Sequence, residues 1–526
     1  MKRLLRPRRP LIGLMTAALL ATPLFALSPA AAAAPAPALI PKPVSQQTLA
    51  GETFTLQSST AVSVVASADE RAAATKVAEQ LSAQLRRSTG FAVPLANTGA
   101  IRLSTDGASS LGAEGYQLRV DRTAVTVTAA TPEGLFRGVT TLRQLLPAKA
   151  DASTTQSGPW TIAGTAISDS PRYAYRGTML DVSRHFFSVA EVKRYIDLAS
   201  LYKLNKLHLH LADDQGWRLQ IDSWPRLATY GGSLEVGGTP GGYYTKADFA
   251  EIVRYAGERY LTVIPEIDTP GHTNAALASY ADLNCNGVAP ALYTGTNVGF
   301  SSLCVGKAVT YSFLSDVFSE IAAQTPGDIV HLGGDEAHST PHADYVTFLN
   351  KTSTIVAGTG KRVMGWHEIG DTALPAGSIV QYWGTDDTAS RDLARLAATK
   401  GATVVMSPAN RAYLDMKYNK DTPYGLSWAG LVSVEKAYNW NPSTLIPNLP
   451  ASAVAGVEAP VWSETLDDID KVEFMAFPRL PGIAELGWSQ PSALNWTAYK
   501  DRLAGQGSRW DALSVNFYRA PEIAWR

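Results

Sequence analysis

From Arg172 onward, short runs of leucine and β-branched residues alternate with amphipathic stretches of roughly 12 to 18 residues. The apparent strands are 177–182, 206–211, 261–266, 328–332, 362–366, 378–383, 402–406 and 455–462. Helical patterns such as 189–201, 246–259 and 387–399 fall between most of them. Strand and helix repeated eight times predict a (β/α)₈ barrel over residues 172–505, in the α/β class. An open doubly wound sheet is the rival, but it usually carries a glycine-rich phosphate loop after its first strand. Here that position reads Ser183-Arg184-His185.

The chain is 526 residues long, so the barrel accounts for only part of it. Residues 46–168 mix short alternating strands with helical stretches and predict a small α+β domain ahead of the barrel. Within it, 116–120 and 124–128 alternate like half-buried strands around an Asp121-Arg122-Thr123 turn, and 132–146 has helical spacing. Residues 35–45 are rich in Pro and Ala and read as a linker, and 506–526 as a C-terminal segment packing on the barrel. Residues 1–34 read as a secretory signal peptide. Lys2, Arg3, Arg6, Arg8 and Arg9 precede an apolar run from Leu11 to Leu27, then an alanine stretch with an Ala-x-Ala site. A membrane anchor is the alternative, weakened by Pro23 and by a run at the short limit for spanning a bilayer. The expectation is a secreted, extracellular protein with no membrane contact after cleavage.

That compartment bears on Cys285 and Cys304, the only two cysteines. Oxidising surroundings favour one disulfide over two free thiols, and a loop of about 20 residues closed this way loses roughly 3 kcal/mol of unfolded-state entropy. Two isolated cysteines lack the spacing of a metal site. With 46 Lys+Arg against 47 Asp+Glu, there is no cationic excess to neutralise phosphates, so no nucleic-acid partner is expected. The chain does carry 12 Trp, whose rings suit the flat C–H faces of sugars as well as a core.

The apolar runs end in polar and aromatic residues. The first leads into Asp181 and Arg184-His185; the second carries His208 and His210 and ends at Asp213-Asp214-Gln215-Gly216-Trp217. The third ends in Glu266 and Asp268, before Gly271-His272, and the fourth in His331-Leu332-Gly333-Gly334-Asp335-Glu336. Trp366 and Glu368, Trp383, Tyr413 and Asp415, and Trp462 and Glu464 close the remaining four. A barrel gathers these ends on one face, where active sites are built. The result is a bowl of carboxylates, one arginine and several tryptophans, with neither a nucleophile elbow nor a phosphate loop. Glycoside chemistry is the inference. An Asp-Glu pair is ordinarily solvated surface, but Asp335-Glu336 ends a buried strand behind two glycines. His208 and His210 could be metal ligands; a satisfied structural pair is favoured, because no full ligand set is visible. Trp217 and Trp428 are less firmly placed than the strand-end tryptophans, and Trp440 reads as loop packing.

At these residues the chain resembles family 20 of the glycoside hydrolases, the β-N-acetylhexosaminidases, and is most similar to secreted actinobacterial exo-acting members. The motifs are Leu180-Asp181-Val182-Ser183-Arg184-His185, His210 to Trp217, Pro265-Glu266-Ile267-Asp268-Thr269-Pro270-Gly271-His272 and His331 to Glu336. Gly365-Trp366, Tyr382-Trp383-Gly384, Tyr413-Leu414-Asp415 and Trp462-Ser463-Glu464 continue them. The resemblance implies a retaining, substrate-assisted hydrolysis, in which the substrate's 2-acetamido oxygen attacks the anomeric carbon and forms an oxazolinium ion. It implies Glu336 as general acid and base, Asp335 orienting the acetamido N–H, Tyr413 bonding its oxygen, and Trp366, Trp383 and Trp462 walling the pocket. Arg184, Asp415 and Glu464 would hold the hydroxyls, with Trp428 at the rim, and Asp213 and His272 would tune Glu336. No cofactor is implied. Adjacent carboxylates resist ionising together, and the reaction then needs Asp335 as the anion and Glu336 as the acid. The implied substrate is a terminal, non-reducing β-linked N-acetylglucosamine, with N-acetylgalactosamine as a second. A disaccharide-releasing relative such as a lacto-N-biosidase, a metal-dependent barrel hydrolase and a silent sugar-binding protein are the competing readings.

Overall fold

The computed structural model describes residues 38–526. The expected signal segment 1–34 and the first residues of the expected linker lie outside the described residues. Six strands form the small sheet: β1 (Ser45–Thr55), β2 (Val62–Val65), β3 (Ile101–Ser104), β4 (Tyr116–Val120), β5 (Val125–Ala129) and β6 (Thr161–Asp169), in the order β1-β6-β4-β5-β3-β2. Alternation drives it: Tyr116, Leu118 and Val120 are buried while Gln117 and Arg119 face water. Asp121 Oδ1 accepts the N–H groups of Thr123 and Ala124 and closes the β4–β5 turn. Helices Arg71–Thr89 and Pro132–Leu145 pack on the sheet and share its core. The second starts where Thr131 Oγ1 accepts Gly134 N–H, with Pro132 in the first turn.

This domain is bonded to the barrel through buried charge. The Asp169 carboxylate accepts from Val44 N–H, the Tyr116 hydroxyl, the Trp488 indole and the Lys203 ammonium. Lys203 is 1% exposed, so Asp169→Ala would leave its ammonium buried and unpaired. The expected cost is about 3–5 kcal/mol, seen as a lower urea midpoint; a wild-type midpoint would show the cation to be compensated otherwise. The expected linker differs from a loose tether. Leu39 and Ile40 are buried, Lys42 N–H donates to Glu485, and Ser45 already belongs to β1. An apolar pair inside a Pro/Ala stretch can dock only where other elements supply a cleft.

The barrel strands are β7 (Tyr175–Asp181), β8 (Lys206–His210), β9 (Thr262–Glu266), β10 (Ile329–His331), β11 (Arg362–Trp366), β12 (Ile379–Tyr382), β13 (Thr403–Met406) and β14 (Val454–Val461). They pair in chain order, in parallel, and close where β14 meets β7. Each lies within a few residues of its expected run. Strands covered on both faces have no polar side, which is why β7 is buried throughout. Capping boxes, Ser188 with Glu191 and Thr245 with Asp248, start helices Val189–Ser200 and Lys246–Gly257. The expected eightfold helix repeat fails once. Between β11 and β12 there is only the short turn His367–Asp371; Pro375 and Gly377 interrupt the remainder, and helix Thr388–Thr399 packs over the turn. Residues 506–526 touch both domains: the Trp510 indole donates to the Tyr202 hydroxyl, and Arg509 pairs with Asp151. Among the described residues, no helix is long and apolar enough to cross a membrane.

Candidate active site

The turn after β10 places two consecutive carboxylates at the carboxyl end of the barrel. Gly333 and Gly334 have φ of +76° and +104°, which residues with side chains rarely adopt. A Cβ on Gly333 would lie 1.7 Å from Asp268 Oδ1. Gly334 N–H donates to that same oxygen at 3.1 Å, and its carbonyl accepts the Tyr345 hydroxyl at 2.6 Å. The turn so held presents Asp335 and Glu336. Glu336 has φ of +45°, and His272, after β9, has +55°. Two non-glycine residues in the left-handed region, side by side, mark local strain at a functional position.

His272 connects the pair to Asp213. Its Nδ1 is 3.2 Å from Asp213 Oδ1, and its Nε2 is 3.5 Å from Glu336 Oε2 and 3.6 Å from Asp335 Oδ2. Burial opposes a charge on His272, but Asp213, Asp268 and Asp335 outweigh it and raise its pKa well above the ordinary value. Burial would likewise raise Asp213, yet Arg184, 2.9 Å away, and His272 hold it far below the usual carboxylate range. The Asp213–His272 pairing expected beside Glu336 is thus present, with His272 also reaching Asp335.

In the protein by itself the two carboxylates shift in opposite directions. Burial lifts Asp335 to about 6, with the Glu336 charge adding to the rise and His272 opposing it. Glu336 is also raised by burial, but the nearby His272, with the Arg184 charge, leaves it below its ordinary value. The two stand almost equally far from His272. Solvation separates them: the Asp335 side chain is 10% exposed and that of Glu336 28%.

Aromatic rings line the same end of the barrel in a continuous arc. Trp383 meets Trp428 at 5.9 Å, Trp428 meets Tyr413 at 6.0 Å, Tyr413 meets Trp462 at 6.0 Å, and Trp462 meets Trp366 at 5.7 Å. Trp428 is 54% exposed, as a rim residue would be, whereas Trp366 is fully buried. Arg184 stacks on Trp462 at 4.9 Å. Several buried polar atoms here have no partner among the described residues: Arg184 Nε, Asp335 Oδ1, both Asp415 oxygens, Trp462 Nε1 and Glu464 Oε2. Buried polar groups are normally paired, so a set left open at one place is the imprint of a polar ligand. Burial, then the Glu464 charge, raises Asp415 well above its usual value; burial and Asp181 raise Glu464 despite Arg184. A protonated carboxyl donates and a carboxylate accepts, which suits hydroxyls that do both.

Trp217 is core: it is buried, its indole donates to Leu219 O, and it packs on Phe313. Trp440 is a loop residue capped on Ala437 O. Cys285 and Cys304 are disulfide-bonded. The tethered loop braces the His272 turn, with Ser301 Oγ donating to Asp214 and accepting Thr273 N–H. His208 has Glu266 and Glu458 each 2.9 Å from a ring nitrogen, and despite burial they raise its pKa to about 9. Its Nδ1 is hydrogen-bonded to Glu458 and its Nε2 lies beside Glu266, the arrangement of a paired structural histidine.

Three carboxyl groups at the strand ends carry no assigned role from sequence. Asp268 supports the glycine turn, Glu368 accepts the Trp383 indole at 3.1 Å, and Glu266 accepts the Trp366 indole at 2.9 Å. All three flank the strand ends and were visible there as charged residues in apolar surroundings, but only coordinates show what each one holds.

The family model for the glycosyl hydrolase family 20 catalytic domain matches residues 173–346 and 339–491, and that for family 20 domain 2 matches residues 36–170. The chain is 42% identical to a β-N-acetylhexosaminidase of Cellulomonas fimi over 494 residues, 93% of this chain and 97% of that protein. It is similar to the solved structure of the β-N-acetylhexosaminidase from Streptomyces coelicolor A3(2), with a TM-score of 0.91 and 56% identity over 94% of this chain and 100% of that one. A mutant Streptomyces plicatus β-hexosaminidase, solved in complex with the product GlcNAc, matches with a TM-score of 0.91 and 55% identity over 94% and 99%.

Proposed function

The chain belongs to glycosyl hydrolase family 20 and is an exo-acting β-N-acetylhexosaminidase, and from that premise we propose how its residues divide the reaction. The observation that carries the proposal is the Asp335-Glu336 pair bridged by His272, beside an indole arc whose polar partners are open. A terminal N-acetylhexosamine enters with its acetamido group between Trp366, Trp383 and Trp462. Arg184, Asp415 and Glu464 take the hydroxyls of the non-reducing end, and Trp428 covers the rim. The acetamido oxygen, positioned by the Tyr413 hydroxyl, attacks the anomeric carbon as Glu336 protonates the departing oxygen. Asp335 accepts the acetamido N–H and faces the positive charge that forms. Glu336 then deprotonates the water that opens the oxazolinium ring, returning the β-configured sugar. A nucleophile carried by the substrate gains an effective molarity of about 10⁵ M or more, roughly 7 kcal/mol of barrier.

Substrate supplies the proton rearrangement that this division needs. An acetamide N–H bonded to Asp335 stabilises its anion, and a pyranose covering Glu336 removes the water that stabilises its charge. Binding is therefore expected to lower the Asp335 pKa and raise that of Glu336, so that Glu336 carries the proton in the complex. In the protein alone Asp335 loses its proton at about pH 6, so kcat/KM is expected to fall above about pH 6. In the complex the proton sits on a buried Glu336, so the alkaline limb of kcat lies at higher pH. Coincident alkaline limbs would contradict the rearrangement.

The natural substrates proposed are chito-oligosaccharides and glycans ending in β-linked GlcNAc, with GalNAc as the second sugar, in chitin degradation outside the cell. Export is supported by the basic, apolar and Ala-x-Ala order of residues 1–34, and is tested by N-terminal sequencing of the protein from culture medium. Stepwise monosaccharide release from a chitotetraose tests the exo pocket; disaccharide release would overturn it. Ordinary turnover of a substrate with hydroxyl in place of acetamido would refute the assisted mechanism.

A further inference from the structure

We propose that Glu266 is a positioning residue for the hydrolysis, one carboxylate that orients the pocket wall Trp366 and, through His210 and Asp213, the His272 ring beside the acid. The proposal deepens the reading above and rests on it. Glu266 ends β9 in register with His210 on β8 and His331 on β10, so the three lie side by side in one layer of the barrel. Each link uses the opposite end of a two-ended group. Glu266 Oε1 accepts the Trp366 indole N–H at 2.9 Å, and Oε2 is hydrogen-bonded to His210 Nδ1. His210 Nε2 bonds Asp213 Oδ2 at 2.7 Å, and Asp213 Oδ1 meets His272 Nδ1 at 3.2 Å. The line runs unbroken from the acetamido pocket to the two carboxylates without passing through substrate.

Every member of the line is buried, so each must be paired to stay. The groups facing Glu266 are His208 and His210 from β8, His331 from β10, Glu458 from β14 and Tyr175 from β7, with Asp268 and Asp335 from the turns above. Burial opposes a charge on His210, but Glu266 and Asp213 hold it up at about 10. A cationic His210 donates from both nitrogens at once, which fixes its ring and one oxygen of Asp213. With Asp213 pinned on one side by His210 and Arg184, its other oxygen accepts the Asp214 N–H and meets His272. A plain packing role would need only a side chain of this size and polarity. The proposed role needs the negative charge.

Glu266→Gln separates the two, since it keeps the volume and removes the charge. Without that anion, His210 sheds its proton within the assay range. The alkaline limb of kcat/KM on a nitrophenyl N-acetylglucosaminide then shifts to lower pH by one unit or more. At the alkaline end kcat falls at least tenfold, while KM stays within about threefold. Lowering the solution toward pH 5 restores most of the activity, because His210 is protonated there in the variant as well. Wild-type limbs with a uniformly scaled rate would overturn the proposal in favour of packing. Should the variant not fold, Trp366→Phe removes the indole donor together with part of the pocket wall. It leaves the His210 branch intact, so the proposal requires a raised KM with unshifted limbs; a shifted limb overturns the two-branch arrangement. Failure of the underlying reading shows separately, as a fully active Glu336→Gln.

Discussion

Glu336→Gln lowers kcat on a chito-oligosaccharide by about 10²–10⁴-fold and leaves KM nearly unchanged. A sugar alkoxide is a poor leaving group and needs a proton as the glycosidic bond breaks. Glutamine at this position keeps the shape and the contact with His272 but has no proton to give. A dinitrophenyl N-acetylglucosaminide leaves as a stabilised phenolate, so its departure is expected to be far less impaired. The decisive measurement is the ratio of the two losses. An equal loss on both substrates would assign Glu336 to binding or to the fold, and with it the acid role would go.

Asp335→Ala is expected to cost about 10²–10³-fold in kcat on both leaving groups alike. The residue acts on the ring closure that precedes every departure, so a better leaving group cannot bypass it. A carboxylate about 4 Å from a unit positive charge contributes on the order of 4 kcal/mol at an effective dielectric near 20. A thiazoline, which carries the bicyclic shape of the intermediate and is readily protonated, is expected to lose a comparable factor in Ki. Binding of free GlcNAc, with no such charge, should weaken much less. Thiazoline affinity unchanged in the variant would remove the charge-stabilising role. The two substitutions together thus distinguish the departure step from the cyclisation step.

The barrel and most of the site were legible from residues alone. A strand buried on both faces must be apolar until it emerges, so a charged or indole side chain at its carboxyl end marks the rim in the sequence itself. That is why Arg184, His272, Asp335, Trp383, Tyr413 and Glu464 could be gathered before their contacts were known. The missing helix between β11 and β12 was harder to see, because Pro375 and Gly377 break a pattern without saying what replaces it. Leu39 and Ile40 read as linker in the sequence because their cleft is made by segments more than a hundred residues away, among them the Gln144 side chain. Glu266 stands in a recognisable motif, yet nothing in its neighbours along the chain shows that its two oxygens meet Trp366 and His331 on one side and His210 and His208 on the other.

Residue order determined the class of fold, the sequence of strand ends and the chemical kinds of side chain delivered to the bowl, because periodicity and covalent spacing are local properties. Which of Asp335 and Glu336 carries the proton was decided by tertiary structure alone. A pKa depends on the water removed and on charges brought near, and beyond the pair's own repulsion these come here from His272, Asp268 and Arg184. Those charges reach the pair only when the ring of strands closes.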